Sequence, residues 1–340
     1  MIPTYNRADL LPRAVQSVLA QCAPEDEIII VDDGSTDHTQ RVAAQFSRVV
    51  YFPVSHGGAG RARNCGVRAA KHSLIAFLDS DDEWIAGTLE LKRTLIQAKP
   101  DIVFCFSDLA DIDKAGRLHH GALAQWREDH RPWDDILGPG VQLSELAPLP
   151  PGVQDCLVHI GNLYLAEMTA SYISSITIVV RRELAGEALH FAEDLPTYED
   201  WECFGRLTRK GNSAYLACET AIQHGHSGSR LTDANLLQRA TARITLLQRV
   251  WGADPKFLAE YGRSYHELLL AQRLMRVRQL LRTGDTRTAR QEIRGRERSY
   301  PASCRLLAQC PGWLASGVIR GRSWAKLLLR RRAGEAEQDN

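Results

Sequence analysis

The sequence predicts an α/β fold, a doubly wound, mixed and mostly parallel sheet followed by an α-helical carboxy-terminal extension. Three observations predict it. Over residues 1–230, apolar runs of strand length alternate with stretches of helical periodicity. One run, within Ile75–Trp84, ends in Asp79-Ser80-Asp81-Asp82-Glu83 and so delivers carboxylates to the carboxyl end of a buried strand. In open α/β sheets that edge is where ligands bind. From Asn235 onwards the pattern turns helical.

Met1 and Ile2 begin a first strand that Pro3 cuts short, and Leu10, Leu11, Ala14, Val15, Val18 and Leu19 then recur at helical spacing within Asp9–Gln21. Glu27–Val31 is a second strand. It runs into Asp32-Asp33-Gly34-Ser35-Thr36-Asp37, a turn rich in capping residues, and then into a helix over Thr39–Phe46. Val49–Pro53 reads as a third strand, His56-Gly57-Gly58-Ala59-Gly60 opens a helix through Arg61–Lys71, and Leu74–Leu78 returns as a strand. Thr88–Ala98 is helical in pattern and Ile102–Phe106 is a further strand. Asp113–Gly161 carries Trp126, Trp133 and five prolines without periodicity, and reads as long loops over a strand-end site.

Tyr172–Arg181 reads as a strand, and Glu199-Asp200 stand at the start of a helix with Trp201, Phe204 and Leu207 on one face. Ala214–Ile222 is the final strand, followed by a polar loop, His224–Arg230, in which His226 is able to reach a phosphate or a metal. Helical hairpins follow, with a break at Thr283-Gly284-Asp285. The expected organisation is a sheet domain over 1–230, with the long loops at about 113–165, and a helical, basic region over 231–340.

At 340 residues, 44% hydrophobic and 24% charged, the composition is that of an ordinary globular protein. The longest apolar runs are strand-sized, far short of the roughly 20 residues that cross a membrane. No basic segment followed by an apolar stretch opens the chain, so the cytoplasm is the expected compartment. The eight cysteines are scattered without a C-x-x-C pair, which speaks against zinc or a redox centre and for reduced thiols. A net charge of +1 hides a split, about −10 over residues 1–230 and +11 over 231–340. The tail Trp313–Arg332 has six Lys/Arg and no acidic residue, which fits an interfacial helix on anionic lipid as well as a solvated basic helix packed on the protein.

Taken singly, the motifs are ambiguous. Asp79-x-Asp81 suits a divalent cation holding a diphosphate, and equally an exposed acidic turn. Glu199-Asp200 suits catalysis, and equally a favourable charge at a helix start. Gly58-x-Gly60-x-x-Arg63 lacks the third glycine of a dinucleotide fingerprint and follows the third strand rather than the first, and no phosphate-cradling G-x-x-x-x-G-K-[ST] is present.

Together, in this order, Pro3-Thr4-Tyr5-Asn6-Arg7, Val31-Asp32-Asp33-Gly34-Ser35, Gly58-x-Gly60-x-Ala62-Arg63-Asn64-x-Gly66, Phe77-Leu78-Asp79-Ser80-Asp81-Asp82 and Glu199-Asp200-Trp201 resemble a family 2 glycosyltransferase of the Rossmann-like GT-A fold, over roughly residues 1–230. The resemblance implies that Pro3, Tyr5 and Asn6 form a nucleotide-contacting turn with the Tyr5 ring against the base. Asp33 accepts from uracil or thymine, Arg63 and Asn64 flank that pocket, and Asp79 lies near the ribose. Asp81 binds Mn²⁺ or Mg²⁺ across the diphosphate, with His226 a further ligand or phosphate contact, and Asp200 is the catalytic base beside Glu199. Family members usually carry several apolar residues before the Pro-Thr-Tyr-Asn turn, whereas here Met1 falls inside that strand.

The reaction so implied is an inverting, metal-dependent transfer of a sugar from a UDP- or dTDP-sugar to a hydroxyl of a glycan, lipid-linked or other acceptor, with no nucleic-acid partner. The leaving diphosphate needs a cation clamp, and a sugar hydroxyl needs a carboxylate to take its proton as it attacks. A base acting once on the incoming group inverts the anomeric centre, by the logic that governs inverting glycosidases. The rival reading is a non-catalytic nucleotide-sugar-binding subunit of a glycan-synthesis complex. Nucleotidyl transfer would call for a glycine-rich loop with a basic residue after the first strand, and Pro3–Arg7 is no such loop.

Overall fold

The computed structural model describes residues 1–127, 130–225 and 234–319. It divides into two compact units, Met1–Arg230 and Leu231–Asn340.

In the first unit, β1 (Ile2–Thr4), β2 (Ile28–Asp32) and β3 (Val49–Pro53) form a parallel sheet in that order. β2 reads Ile-Ile-Ile-Val-Asp and is buried along its whole length, the pattern of a parallel strand covered on both faces. The covers are α1 (Leu11–Leu19), α2 (Thr39–Ala43) and α3 (Ala59–Ala69). α1 buries Leu11, Ala14, Val15 and Val18, the stripe its spacing predicts, and each large side chain there is worth about 1.5–3 kcal/mol of transfer free energy.

The second sheet runs β4 (Leu74–Ala76), β10 (Val179–Arg181), β6 (Phe104–Ile112), β11 (Ser213–His224), β9 (Leu157–Gly161) and β8 (Val141–Gln142). β5 (Glu83–Trp84) pairs with β11 and β7 (Leu118–His119) with β6. Here only β6 and β11 pair in parallel, and the other pairings are antiparallel. The α/β class stands with mixed sheets, but parallel pairing is confined to β1–β3 and β6–β11. Strand–helix alternation fixes direction only where a helix makes the crossover. β10 arrives instead from a long irregular excursion and enters between β4 and β6. The sheets meet at Met1, whose main-chain nitrogen donates to Ala76 O at 2.9 Å and whose carbonyl accepts from Leu78 N at 3.1 Å. A cavity of about 250 Å³, lined among others by Met1, Ile28, Leu74 and Lys92, lies at the amino ends of these strands.

Two expectations change. Within Tyr172–Arg181 only β10 is a strand, while Ser175–Thr177 is a 3-10 turn. The carbonyls there serve side chains rather than a ladder: Trp84 Nε1 donates to Ile176 O at 2.9 Å and the buried Lys92 Nζ to Thr177 O at 2.5 Å. Within Asp113–Gly161, short elements replace the expected loops: β7, α5 (Ala122–Trp126), α6 (Trp133–Leu137), β8, α7 (Leu143–Leu146) and β9. α7 carries a capping box between Gln142 and Glu145. α4 (Thr88–Ala98), α8 (Tyr164–Thr169), α9 (Arg182–Ala185) and α10 (Glu199–Thr208) complete this unit.

The second unit is helical: α11 (Leu236–Val250), α12 (Pro255–Thr283), α13 (Thr286–Ile293) and α14 (Ala302–Gln309). Asn235, Asp254 and Asp285 cap the first three through main-chain N–H groups. Gly284 ends α12 at φ 87°, a left-handed conformation that suits glycine, so the break at Thr283-Gly284-Asp285 is a helix stop followed by a helix start. Val277, Leu281, Ala289 and Ile293 pack within this unit. No helix among the described residues is long and apolar enough to cross a membrane.

Candidate active site

The carboxyl ends of β1, β2 and β4 gather most of the motif residues. Past β1, Tyr5 is 41% exposed and stacks on His56, ring centroids 4.3 Å apart. Asn6 holds φ 50°, fixed by Asn6 N donating to Ser35 Oγ and Thr36 N donating to Asn6 Oδ1, both at 2.8 Å. Pro3 is buried within β1 and places that turn. Past β2, the Asp33 carboxylate accepts from Gly57 N and Gly58 N at 2.8 Å each and lies 2.9 Å from His56 Nδ1. These bonds fold the 56–58 segment over the turn; Oδ2 faces both Gly58 N and His56 Nδ1, while Oδ1 accepts from Gly57 N and retains a second lone pair for a ligand. Nothing in the sequence singles out His56, whose position merely precedes the glycines.

Past β4, Asp79 Oδ1 accepts from Arg63 Nη2 at 2.8 Å and Asp79 Oδ2 from Ser175 Oγ at 3.2 Å. Asp81 lies 3.7 Å from Arg7 Nε, and its carbonyl accepts from Arg13 Nη2. Asp82 is buried and accepts from His224 N at 2.9 Å, which ties the acidic turn to the end of β11. His226 lies outside the described residues.

Arg63, on α3 and 3% exposed, is the hub. Its second amino group donates to Glu199 Oε1 at 2.8 Å, so one guanidinium bridges the strand-end acidic motif and the start of α10. Gly60 on the same helix permits this approach, since a Cβ there would stand 2.7 Å from Ala192 O and 3.4 Å from Glu199 Cγ. Asn64 is spent on structure: its amide accepts from Phe191 N at 2.7 Å and donates to Phe191 O and Glu193 Oε1, which fixes the segment leading to α10.

Glu199 is 4% exposed and locked under Arg63, whereas Asp200 keeps part of its surface and accepts from Trp201 N at 2.7 Å. Burial, and then the Asp200 charge, push the Glu199 carboxyl up to about 7 against the pull of Arg63. Burial also raises Asp200, opposed by Arg63. Burial alone would lower the Arg63 guanidinium, but the Asp79, Glu199 and Asp200 charges outweigh it and keep Arg63 cationic. One cation facing three carboxylates cannot balance them all. Glu199 therefore holds its proton more tightly than an ordinary glutamate. The arrangement offers an aromatic platform, a cation-facing acidic turn, and a carboxylate of raised basicity with an open side.

Known proteins resemble this chain in sequence and fold. The sequence model of Glycosyl transferase family 2 matches residues 1–139. The putative teichuronic acid biosynthesis glycosyltransferase TuaG of Bacillus subtilis is 41% identical over 218 residues, 63% of this chain and 72% of that protein. The succinoglycan biosynthesis protein ExoO of Rhizobium meliloti is 28% identical over 275 residues, 77% of this chain and 68% of that protein. An uncharacterized glycosyltransferase of Rickettsia prowazekii is 34% identical over 115 residues, 33% of this chain; the match spans only 36% of that protein and 22% of its counterpart in Rickettsia conorii. Among solved structures, Staphylococcus aureus TarS in complex with UDP-GlcNAc superposes with a TM-score of 0.54 at 14% identity, covering 86% of each chain. At that identity the likeness speaks for the fold, a GT-A-like α/β architecture with a helical carboxy-terminal region.

Proposed function

The chain belongs to glycosyl transferase family 2, and we propose that it is an inverting, metal-dependent glycosyltransferase that moves a sugar from a UDP- or dTDP-sugar to a hydroxyl of a glycan or lipid-linked acceptor. One observation carries this reading: a single buried guanidinium, Arg63, ties the strand-end Asp79 to Glu199, so that the partly open Asp200 stands within one ion network with the acidic turn. Asp200 takes the proton of the attacking hydroxyl, and burial, opposed by Arg63, sets its basicity. Glu199 itself, buried under Arg63, is poorly placed to meet an acceptor.

On the donor side, Tyr5 and His56 offer stacking surfaces for a base, and Asp33 suits the ring N–H of uracil or thymine. Mn²⁺ or Mg²⁺ is the ion this reading calls for, with no cluster of three or more His, Cys, Asp or Glu side chains to hold it among the described residues. Asp79 is engaged by Arg63 and Ser175, and Asp81, 3.7 Å from Arg7, would hold the ion across the diphosphate. When bound, that ion neutralises the charge growing on the leaving diphosphate. We assign His226 as a further ligand or phosphate contact. The names of TuaG and ExoO support a role in polysaccharide biosynthesis, and the UDP-GlcNAc in complex with TarS supports UDP as the nucleotide. Pyrobaculum calidifontis PcManGT, a structural match of TM-score 0.50 at 17% identity in complex with GDP-Man and Mn²⁺, supports the metal. The exposed Leu306 and Trp313 of the second unit favour contact with a membrane surface bearing the acceptor.

Thermal unfolding with UDP, dTDP, GDP or CMP, each with Mn²⁺ or with EDTA, tests the donor reading. A nucleotide at 100 times its Kd stabilises by about 2.7 kcal/mol. The shift is expected with UDP or dTDP and only with metal. A shift confined to GDP or CMP, or none at all, overturns it.

A further inference from the structure

The eight cysteines look scattered in the sequence, yet the fold sets two of them side by side at a distance from the carboxylates. β9 and β11 pair antiparallel with Val158 opposite Leu216. Cys156 lies two residues before Val158 and Cys218 two residues beyond Leu216, just past the end of this ladder where β11 is irregular against β6, and the two thiols are hydrogen-bonded to each other. Both side chains belong to one apolar cluster with Leu143, Val158 and Leu216. Cys156 is buried and Cys218 half-buried, so the second is the one an oxidant reaches. Both are free thiols.

Their surroundings separate the two sulfurs chemically. The hydrogen bond from Cys156, followed by the neighbouring Lys92 ammonium, holds the Cys218 thiol below its usual range. The same hydrogen bond and burial push Cys156 up. Lys92 is 1% exposed, with the Thr177 carbonyl as its hydrogen-bond acceptor and the Cys105 and Cys218 thiols nearby. A buried ammonium beside a half-open thiol favours the thiolate, the form that attacks.

We propose that Cys156 and Cys218 are a redox-active pair that closes to a disulfide when the protein meets a peroxide. The Cys218 thiolate attacks one oxygen of hydrogen peroxide, breaking the O–O bond to give the sulfenic acid and hydroxide, which takes up a proton to become water. The Cys156 sulfur then attacks the Cys218 sulfur, the S–OH bond breaks, and the Cys156 proton leaves with that hydroxyl as a second water. Two thiols are oxidised by two electrons and one peroxide is reduced. The bond joins the edge of β9 to the part of β11 that leads into Glu219, which accepts from Gly121 N at 2.7 Å, and on to His224 beside Asp82. Oxidation therefore staples the strand that supports the acidic turn.

The test is peptide mapping of the full chain after a stoichiometric peroxide pulse and alkylation, digested without reductant. A linked peptide pair containing Cys156 and Cys218, lighter by two hydrogen atoms and released by dithiothreitol, is expected, together with a higher thermal midpoint that reduction reverses. Cys156→Ser should leave a Cys218 sulfenic acid that dimedone traps. If Cys156 stays alkylatable in the wild-type chain while Cys218 is oxidised onward or pairs with another thiol, the proposal is wrong. It is equally wrong if Cys22, Cys65 or Cys310 oxidises while this pair does not.

Discussion

The stretch Met1–Trp84 and the stretch Phe104–His224 build opposite walls of the site by different means. In the first, three parallel strands follow one another in sequence, and the strand-end motifs Pro3–Arg7, Asp32–Ser35 and Asp79–Asp82 lie close along the chain. In the second, β6 waits for β11 and for β10, partners about seventy or more residues further along the chain. The first wall holds its carboxylates with main-chain N–H groups, as Gly57 and Gly58 hold Asp33. The second holds Glu199 with a side chain borrowed from the first, Arg63. A wall made of local turns keeps its geometry by itself, and a wall made of distant pairings depends on its neighbour.

Separating the two walls chemically is the strongest way to sharpen this contrast. Asp200→Asn should lower turnover by about 10²–10⁴-fold, the usual worth of a general base, while nucleotide-dependent stabilisation stays at the wild-type level. Near-normal transfer would move the base assignment to Glu199. Removing the shared side chain should break both walls together. Arg63→Met leaves Asp79 and Glu199 without their cation and should cost about 3–5 kcal/mol in urea unfolding. A loss under about 1 kcal/mol, the worth of an exposed ion pair, would show that the walls stand independently.

The gentlest probe is pH. Glu199 titrates at about 7 in the folded chain against an ordinary value of 4.5, so the native state binds the proton more tightly than the unfolded one. Its contribution is then most favourable below about pH 4.5 and is lost as pH rises through about 7. Glu199→Gln should flatten that decline. An unchanged stability profile would mean that the proton sits elsewhere.

The same contrast separates what is legible in the sequence from what is not. β2, β3, α1 and α4 are legible within a few residues because periodicity and turn chemistry are local signals, and the carboxyl-end turns announce the donor side. Glu199-Asp200 is legible as a motif, but its link to Arg63 spans 136 residues and leaves no local trace. His56 carries no pattern of its own and acquires meaning only from the Tyr5 ring stacked on it. β9 hides among prolines and tryptophans in a segment that reads as loop, and with it goes the pairing that sets Cys156 beside Cys218. Strand direction in the larger sheet is equally hidden, since β10 is three residues long and its order between β4 and β6 is decided by long-range contacts.

The pairing of β6 with β11 also bears on how the chain emerges during synthesis. β3 is complete at Pro53, while the last strand ends at His224. At translation rates of roughly 5–20 residues per second, this interval lasts on the order of ten to thirty seconds. Through it the three-stranded sheet, already covered by α1, α2 and α3, exists without the strands that close the second sheet, and β6 lacks both of its neighbours, β10 and β11. The Arg63–Glu199 link is thus made late, and a ribosomal pause before residue 224 lengthens the time in which a chaperone or a second nascent chain competes for the unpaired edges of β6.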